Sequence, residues 1–383
     1  MEIAQIIADG RPGGGTTMLL GLLDDLAVDR TKRITVVSQP SSYMEREVLR
    51  RGLQFIGFDF FRSGRNFMAP WLLARKLAGC RFDLTHVHGL RSAHHATQWP
   101  VRGKLGRLVY TNHGLHQLHL HPLVRWAANR AERQVARRVD QCVFVSNSDL
   151  AQARDLDLLP AGTCASVVWN GIDVDAIQAS RPLDKDIDVA FIGRMVEQKQ
   201  PLLAARVLAG LAAAGWRCAL VGSGPLETPC RDLLRRIDGG KLVHQLGELP
   251  HTGALEVLAR TRVVLMPSAW EGLPILPMEA MALRATLVGS KLPGIAEVVT
   301  NGVTGILMET CDAAALREAA ERILTQPALE HALVHAAAHR VRDLFDRQKS
   351  CARYLEIYRA ALQERRHPQV CLRSKKQGSP RQP

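Results

Sequence analysis

Short runs of β-branched and other apolar residues alternate with longer amphipathic stretches along most of the chain. Strands separated by helices of about ten or more residues are typical of parallel sheets that helices cover on both faces. The pattern forms two such series and therefore predicts an α/β protein with two doubly wound, Rossmann-like domains. The strands predicted in the first series are 2–9, 33–39, 53–59, 83–89, 107–114, 141–147 and 166–171, and those in the second are 188–194, 218–224, 242–249, 262–268, 286–290 and 304–308.

A polar stretch over residues 171–188 separates the two series. We therefore predict a first domain over residues 1–175 and a second domain over 185–342. The rest of the pattern is helical, and a last helix at about 345–366 is predicted to pack back on the first domain. Residues 367–383 are rich in basic residues and proline, which predicts a disordered tail.

Composition narrows the class of protein. The 383 residues are 46% hydrophobic and 23% charged, an ordinary globular balance that suffices for two cores. The sequence lacks the apolar run of ~18 residues that a membrane span needs. It also begins without a basic leader or a cleavage signature, so we expect a cytoplasmic protein. The eight cysteines form no Cys-x-x-Cys pair and are expected to be reduced thiols.

The net charge of +13 favours an anionic partner. Three classes of partner fit this charge: nucleic acid, an acidic membrane surface and a phosphorylated substrate. The sequence contains no recognition-helix, zinc-finger or RNP-like pattern, and aromatic residues make up only 5% of it. We therefore expect no nucleic acid partner.

Unusual residues gather where the predicted strands end. Gly13, Gly14 and Gly15 follow the first strand, His113 lies at the exit of the fifth, and Arg194 closes the first strand of the second series. Ligands of open parallel sheets bind beyond the carboxyl ends of the strands. Because both series carry such residues, we expect one cleft between two facing domains.

Two glycine-rich loops each allow two interpretations. The run Gly13–Gly15 would bring backbone N–H groups to an anion at a helix N-terminus, or it forms a plain flexible turn. It fits neither G-x-G-x-x-G nor a Walker loop. Gly222 and Gly224 form half of a dinucleotide fingerprint, and tight packing between a strand and a helix explains them equally well.

Arg194 and Lys199 stand at the carboxyl end of a buried strand, beside a predicted helix start. A forked guanidinium and a compact ammonium would cradle a diphosphate there. Each charge-assisted hydrogen bond would contribute roughly 1.5–3 kcal/mol. The alternative is a solvated pair of cations that flanks a turn.

Eight of the fourteen histidines lie within residues 86–121. His86 and His88 alternate along one strand and therefore share a face. No H-E-x-x-H or histidine–carboxylate pattern accompanies them, so we expect neither a metal site nor a cofactor. His113 is the candidate that would hydrogen-bond a substrate. The other histidines of this interval are expected at the surface: His94, His95, His116, His119 and His121.

The segment 268–282 places Glu271 and Glu279 in an apolar run without a lysine or arginine between them. Pro277 is predicted to be the first helical residue, which puts Glu271 in a loop and Glu279 in the first helical turn. Carboxylates accept hydrogen bonds from diols, so we expect both to bind neutral hydroxyls of a sugar or a ribose. The alternative for Glu279 is a carboxylate that the helix dipole alone favours.

Taken together, these motifs resemble the retaining glycosyltransferases of the GT-B fold, specifically family 4 of the nucleotide-sugar-dependent enzymes. The order of the family's motifs is kept over nearly the whole chain, including the E-x7-E segment and Glu297 in the Gly-Ile-x-Glu position. The other segments that carry the resemblance are Gly13–Gly15, HVHG (86–89), TNHG (111–114), VSNSD (145–149), NGID (170–173), GRMVEQK (193–199), VGSGPL (221–226) and SKLPGIAEVVTNGVTG (290–305).

The resemblance implies a role for each candidate residue. Arg194 and Lys199 would bind the donor's diphosphate and stabilise the leaving group, so that no metal is needed. His113 would lie near the transferred sugar, and Gly13–Gly15 would approach donor or acceptor from the opposite domain. The reaction would retain the anomeric configuration, with the leaving phosphate taking the acceptor's proton. Catalysis would then rest on positioning and on charge stabilisation.

The same resemblance assigns the remaining donor contacts to the second domain. Glu271 would contact hydroxyls of the donor sugar, and Glu279 would contact the ribose. The other positions assigned to the donor site are Gly222, Gly224, Gly272 and Leu273.

The stretches 86–93, 110–116 and 129–149 look most like the exopolysaccharide and capsule branch, whose members add a sugar to a lipid-linked intermediate at the inner membrane face. We therefore expect a UDP-linked donor, a glycan or lipid-linked saccharide as acceptor, and peripheral attachment to the cytoplasmic membrane face. The basic helix 121–138 carries five arginines and Trp126. It would face anionic lipid, or it is a solvated arginine-rich surface.

Five positions depart from the family's pattern, and two of them are Pro274 and Pro277, in a segment that glycine and aliphatic residues often fill. Gln200 and Arg284 stand where glycine is usual, and Thr286 stands where proline is usual, which leaves the identity of the donor open.

Two competing functions remain. A sugar-nucleotide epimerase on a similar fold would need acid–base carboxylates that the first domain lacks, and the intact charged set argues against a non-catalytic nucleotide-sugar-binding subunit.

Overall fold

The computed structural model of the protein describes residues 1–63, 68–179, 184–238 and 240–363. The basic tail predicted over 367–383 lies outside these described residues, and so does a short part of the predicted linker.

The chain divides into two compact units. The first comprises Met1–Trp169 and the segment from Gln348 onward, and the second comprises Asn170–Arg347. Each unit has its own parallel sheet and its own buried core.

A parallel sheet forms the centre of the first unit. Its strands are β1 (Glu2–Ile7), β2 (Arg33–Ser38), β3 (Gln54–Gly57), β4 (Leu84–His88), β5 (Arg107–Asn112), β6 (Gln141–Phe144) and β7 (Ala165–Val167). Their order across the sheet is β3-β2-β1-β4-β5-β6-β7. The direction of the winding therefore switches between β1 and β4. Ligands of doubly wound sheets bind at such a switch point, beyond the carboxyl ends of the strands.

Helices connect these strands. They are α1 (Gly14–Ala27), α2 (Tyr43–Arg50), α3 (Phe60–Ser63), α4 (Ala69–Lys76), α5 (Leu90–Ala96), α6 (Pro122–Ala136) and α7 (Asn147–Asp155).

The second unit repeats the arrangement with a smaller sheet. Its strands are β8 (Ile187–Ile192), β9 (Cys218–Val221), β10 (Val243–Gly247), β11 (Thr261–Met266), β12 (Thr286–Ser290) and β13 (Gly305–Met308). Their order is β10-β9-β8-β11-β12-β13, so the switch point lies between β8 and β11.

The remaining helices are α8 (Val174–Gln178), α9 (Pro201–Ala213), α10 (Glu227–Asp238), α11 (His251–Ala259), α12 (Leu276–Ala282), α13 (Pro293–Val298), α14 (Ala313–Thr325), α15 (Pro327–Leu344) and α16 (Arg347–Gln363). Among the described residues, no helix combines the length and the apolar character that crossing a membrane requires.

Helix α16 packs on the first unit. Tyr354, Ile357 and Tyr358 are buried in the same cluster as Ile3 and Ile7 of β1. Side chains alternate along a strand, so Gln5 faces this helix as well. A polar residue of the first strand therefore lies in the core beneath the last helix.

The two parallel sheets with their connecting helices confirm the predicted fold class. Most strands end before the predicted boundary, because the residues that follow already belong to loops. Gly193 and Gly222 are examples. Helix α12 begins at Leu276, one residue before Pro277, the predicted first residue. Pro277 therefore lies in the first turn of the helix.

Two of the positions that depart from the family's pattern have left-handed backbone conformations. Gln200 has φ 47° and links the 3₁₀ helix Glu197–Lys199 to α9, and Arg284 has φ 58° after α12. A side chain costs roughly 1–2 kcal/mol in this region, where glycine is tolerated. The backbone thus gives a physical reason for a glycine at both positions.

Replacing Arg284 by glycine should stabilise the second unit by roughly 0.5–1 kcal/mol, because relief of the left-handed strain exceeds the entropy that glycine adds to the unfolded chain. Arg322→Gly is the matched control, since Arg322 is an exposed residue inside α14. There the same exchange should destabilise by about 0.8–1 kcal/mol. Urea unfolding of the two variants measures both effects, and the same sign in both would contradict the assignment of strain to Arg284.

Candidate functional site

Lys199 and Glu271 form an ion pair at the carboxyl edge of the second sheet. The loops that carry them follow β8 and β11, which are neighbours in the sheet. Lys199 Nζ lies 2.5 Å from Glu271 Oε1, and the Glu271 side chain is only 7% exposed. A buried carboxylate requires such a partner, since an unpaired buried charge is costly. The switch point predicted to bind a ligand thus contains a desolvated ion pair.

Gln198 ties the same two loops together. Its backbone carbonyl accepts a hydrogen bond from the Ala269 N–H at 2.8 Å. Its amide nitrogen donates to the Trp270 carbonyl at 3.0 Å and, more weakly, to Glu271 Oε2 at 3.5 Å. The sequence pattern gives no sign of this role, because an amide between Glu197 and Lys199 is typical of a solvent-facing turn.

Arg194 differs from Lys199 in its exposure. It lies at the surface just after β8 and makes a long hydrogen bond of 3.4 Å to Gln198 Oε1. Gln198 therefore contacts Arg194 on one side and Glu271 on the other. The edge presents one exposed cation beside one cation that is already paired.

Gly222 and Gly224 let two loops pass in close contact. A Cβ on Gly222 would lie 1.8 Å from the Gly193 carbonyl oxygen, and one on Gly224 would lie 2.7 Å from that of Met195. Both glycines also have positive φ, 134° and 146°. Close packing of the two loops is sufficient to explain both glycines. This favours the packing interpretation over that of a dinucleotide fingerprint.

The loop around Gly272 and Leu273 is held by backbone contacts. The Leu273 carbonyl accepts a hydrogen bond from Asn170 Nδ2 at 2.9 Å. A Cβ on Gly294 would lie 1.5 Å from the Gly272 carbonyl oxygen, so the start of α13 presses on this loop. Asn170 is itself buried and anchors the loop that carries Glu271.

Glu279 also has a partner from a distant segment. It lies in the first turns of α12, is 7% exposed, and its Oε1 is 2.6 Å from Nε2 of His251. His251 is the first residue of α11. The sequence has no lysine or arginine between the two glutamates, but the fold brings Lys199 to Glu271 and an imidazole to Glu279.

In the first unit, the glycine run and His113 lie side by side. Helix α1 begins at Gly14, and Gly13 is extended with φ 169°. A Cβ on Gly15 would contact the His113 ring at 3.6 Å. The His113 ring stacks on that of His88, with centroids 5.5 Å apart. The start of α1, the last residue of β4 and the turn after β5 therefore meet at the switch point of the first sheet.

A buried carboxyl group supports the turn that carries His113. Glu132 of α6 accepts hydrogen bonds from Tyr110 OH at 2.7 Å and from Asn112 Nδ2 at 2.9 Å. Asn112 Oδ1 in turn accepts from the Gly114 N–H at 2.8 Å. Burial raises the pKa of Glu132, although both hydrogen bonds oppose the shift.

His86, His88 and His113 are neutral at physiological pH. Burial lowers the pKa of His113 to about 4 and those of His86 and His88 well below 6.5. His95 was expected at the surface but is buried, 5.9 Å from the ring of Phe60. Its pKa falls to about 4 because of burial. Within the described part of the chain, no three histidine, cysteine, aspartate or glutamate side chains are grouped so that they could hold a metal ion.

A cavity of about 940 Å³ extends from His113 across the first unit. Its polar part includes Asn112 and Gln117, and its apolar part includes Leu120 and Val124. Leu120 and Val124 are also 49% and 52% exposed. The cavity therefore joins a hydrogen-bonding end to an apolar rim.

Comparison with known families assigns a model to each half of the chain. Residues 12–176 match the family described as Glycosyltransferase Family 4, and residues 173–340 match Glycosyl transferases group 1. Glycogen synthase of Mycobacterium tuberculosis (strain ATCC 25618 / H37Rv) is 27% identical over 358 residues, which cover 87% of this chain and 86% of the relative. Alpha-D-kanosaminyltransferase of Streptomyces kanamyceticus is 25% identical over 231 residues, 57% of this chain and 58% of the relative.

Solved structures share the fold at lower identity. Anabaena Alr3699/HepE in complex with UDP-glucose has a TM-score of 0.79 and 17% identity, and the match covers 94% of this chain and 100% of that one. WaaG, a glycosyltransferase involved in lipopolysaccharide biosynthesis, has a TM-score of 0.70 and 15% identity, with coverage of 93% and 99%.

Acid should destabilise the first unit, because its buried histidines bind protons more readily when unfolded. The unfolded chain takes up these protons near pH 6.5, whereas folded His113 does so at about 4. The unfolded state therefore binds more protons in this window, and stability falls as the pH drops from 6.5 toward 4. We expect a loss of up to about 1.4 kcal/mol per pH unit for each such histidine.

Urea unfolding followed at several pH values between about 7 and 5 measures this slope. His88→Asn should make the slope shallower, since one buried imidazole is gone. His331→Gln is the control, because it removes an exposed histidine of the second unit and leaves the buried histidines in place. Equal slopes in wild type and His88→Asn would refute the assignment.

Proposed function

Because the two family matches identify the chain as a glycosyltransferase, we propose that it is a retaining enzyme that transfers a sugar from a UDP-linked donor to a glycan or lipid-linked saccharide. The proposed pathway is the synthesis of a cell-surface polysaccharide. The observation that carries the proposal is the buried Lys199–Glu271 pair with Arg194 exposed beside it. The UDP-glucose complex of one structural relative and the lipopolysaccharide role of another support the choice of donor and pathway.

In this proposal the donor's diphosphate replaces Glu271 as the partner of Lys199. A diphosphate carries more negative charge than one carboxylate and accepts hydrogen bonds from several oxygens, so the exchange is favourable. Arg194 supplies a second cation from the surface. Glu271 is thereby released to accept hydrogen bonds from hydroxyls of the donor sugar, which a carboxylate can bind in pairs.

Glu279 is proposed to bind the ribose of the donor. Its Oε1 contacts His251, and the carboxylate retains further lone pairs for a diol. The His251 side chain is 44% exposed, whereas the Glu279 side chain is buried. The imidazole thus holds the carboxylate in one orientation at the start of α12.

The two cations also give a reason for metal-independent chemistry. Negative charge develops on the departing diphosphate as the bond to the sugar breaks, and preorganised cations stabilise that charge in the transition state. The leaving phosphate would take the proton of the attacking hydroxyl on the same face of the sugar. That route retains the anomeric configuration and needs no protein nucleophile.

The cavity of the first unit is the proposed acceptor site. His113 and Gln117 would bind hydroxyls at one end, and Leu120 and Val124 would contact an apolar chain at the other. The adjoining start of α6 exposes Leu123 at 74% and Trp126 at 67%. Exposed apolar residues of this size mark a surface that binds a partner or a lipid.

Charge on α6 and just beyond it supports a membrane partner. Arg133 is bound to Asp157, and Arg138 donates to the Thr97 carbonyl. In the described residues, the other three basic side chains make no hydrogen bond or ion pair, and they can meet anionic headgroups: Arg125, Arg130 and Arg137. We therefore propose peripheral attachment to the cytoplasmic face of an anionic membrane.

Lys199→Met should reduce nucleotide release from the donor by about 10²–10³-fold in kcat, since one charge-stabilising group is lost from the transition state. The assay incubates the protein with a panel of nucleotide sugars and membrane extract and measures free nucleoside diphosphate. Lys241→Met is the control, because Lys241 is an exposed lysine of the same unit outside the proposed site. NMR of the product then reports its anomeric configuration.

Two outcomes of this assay would contradict the proposal. Isomerisation of the sugar without release of nucleotide would identify an epimerase. Binding of a nucleotide sugar without turnover, even in the presence of membrane extract, would identify a non-catalytic subunit.

Leu123→Asp should weaken binding to vesicles of anionic lipid at least tenfold, since it places a carboxylate in the apolar, arginine-flanked start of α6. Leu49→Asp is the matched control, because Leu49 is an exposed leucine of α2 at 57% exposure. Vesicle cosedimentation at low and physiological salt measures both. Equal binding by the two variants would place the membrane contact elsewhere or exclude it.

A further inference from the structure

A chain of hydrogen bonds runs from His113 into the core beneath α16. His113 Nε2 lies 3.3 Å from His88 Nδ1, and His88 Nε2 lies 2.9 Å from Gln5 Oε1. Gln5 Nε2 then donates to Tyr358 OH at 3.0 Å. Past Tyr358 the chain continues to His86 Nδ1 at 2.7 Å, and His86 Nε2 lies 2.7 Å from Thr111 Oγ1. We call this set the histidine relay.

The relay is buried in the core except at its His113 end, which borders the cavity. Gln5, His86 and Thr111 are fully buried, and His88 and Tyr358 are each 2% exposed. Polar atoms in such a core must be satisfied, because each one left unpaired costs roughly 1–3 kcal/mol. The donors and acceptors must therefore alternate without a gap along the chain.

The Gln5 amide determines which atoms donate in the half of the relay that leads to His113. Its carbonyl oxygen can only accept, so His88 must donate from Nε2. A neutral His88 then has a bare Nδ1, which accepts from Nε2–H of His113. A neutral His113 that donates from Nε2 keeps its own Nδ1 unprotonated. Within the described residues this Nδ1 makes no hydrogen bond, and the ring borders the cavity.

The nitrogen of the Gln5 amide determines which atoms donate in the other half of the relay, which leads to Thr111. The Gln5 nitrogen donates to the Tyr358 oxygen, so the Tyr358 hydroxyl donates onward to His86 Nδ1. His86 then donates from Nε2 to Thr111. Rotating the Gln5 amide by half a turn would reverse every bond of the relay and would place the proton of His113 on Nδ1.

We propose that Gln5 and Tyr358 are positioning residues that hold His113 as the neutral Nε2–H tautomer, so that its Nδ1 presents a lone pair to a hydroxyl of the bound sugar. This assignment rests on the proposed function, since it supplies the hydroxyl. It gives the last helix a role in the site. Tyr358 lies 353 positions from Gln5 in the chain and accepts the hydrogen bond that the Gln5 amide nitrogen donates.

The tautomer can be read directly by nitrogen NMR of the full chain labelled with ¹⁵N-histidine, recorded near neutral pH without donor or acceptor. His113→Gln identifies the signal. We expect a protonated Nε2 and an unprotonated Nδ1 in the wild type. Gln5→Met keeps the shape of the side chain but removes its polar atoms, so His113 should become a mixture of both tautomers. Tyr358→Phe should have the same effect through the amide.

Ile3→Val is the structural control, since Ile3 lies on the same face of β1 and is fully buried. It should reduce stability without changing the His113 signal. In the transfer assay, Gln5→Met should lower kcat/KM roughly tenfold, the loss expected for one hydrogen bond, while Ile3→Val should not.

A wild-type His113 protonated on Nδ1, or a signal that Gln5→Met and Tyr358→Phe both leave unchanged, would overturn the proposal. The spectra do not depend on any sugar substrate. The expected tautomers together with an absence of transfer would therefore refute the proposed function while supporting the relay itself.

Discussion

The strands of each sheet pair in parallel, and this constraint determines where the chemistry of the protein lies. In a parallel sheet all the carboxyl ends emerge at one edge, so the loops that follow neighbouring strands are forced together. The second sheet brings the loops after β8 and β11 into contact, and the first does the same for β1, β4 and β5. Residues far apart in the sequence thereby share one small volume.

Such crowding brings buried polar groups together, and each of them needs a partner. Glu271 finds Lys199, Glu279 finds His251, and Glu132 finds a tyrosine and an asparagine. The Lys199–Glu271 ion pair has the further property that Lys199 can exchange its partner for another anion. A ligand with more negative charge than a carboxylate can take Lys199 and leave Glu271 to bind hydroxyls. The charged groups of such a site therefore have partners both when the ligand is bound and when it is absent.

Much of the fold could be predicted from the sequence, because strand and helix periodicities are local. The strands and their order along the chain followed from the alternation of short apolar runs with amphipathic stretches. The same reasoning placed Arg194, Lys199 and Glu271 at the carboxyl edge of one sheet, because this prediction needs only the residue at which each strand ends. Exact helix starts were harder, as the one-residue shift at Pro277 shows.

The partners of these residues could not be predicted from the sequence, because they come from distant segments. Nothing near Glu279 points to His251, and nothing near Gln5 points to Tyr358. Gly171 illustrates the same limit. A Cβ there would lie 2.8 Å from the backbone of Arg347, so the reason for the glycine is a chain that returns after more than a hundred residues.

Binding of UDP alone, measured by titration calorimetry, tests the exchange of the Lys199 partner most directly. UDP offers the diphosphate without the sugar. We predict that Lys199→Met weakens UDP binding at least tenfold. Glu271→Gln should bind UDP as tightly as the wild type or more tightly, because Lys199 then has no carboxylate partner to give up. A loss of affinity in Glu271→Gln equal to that in Lys199→Met would contradict it.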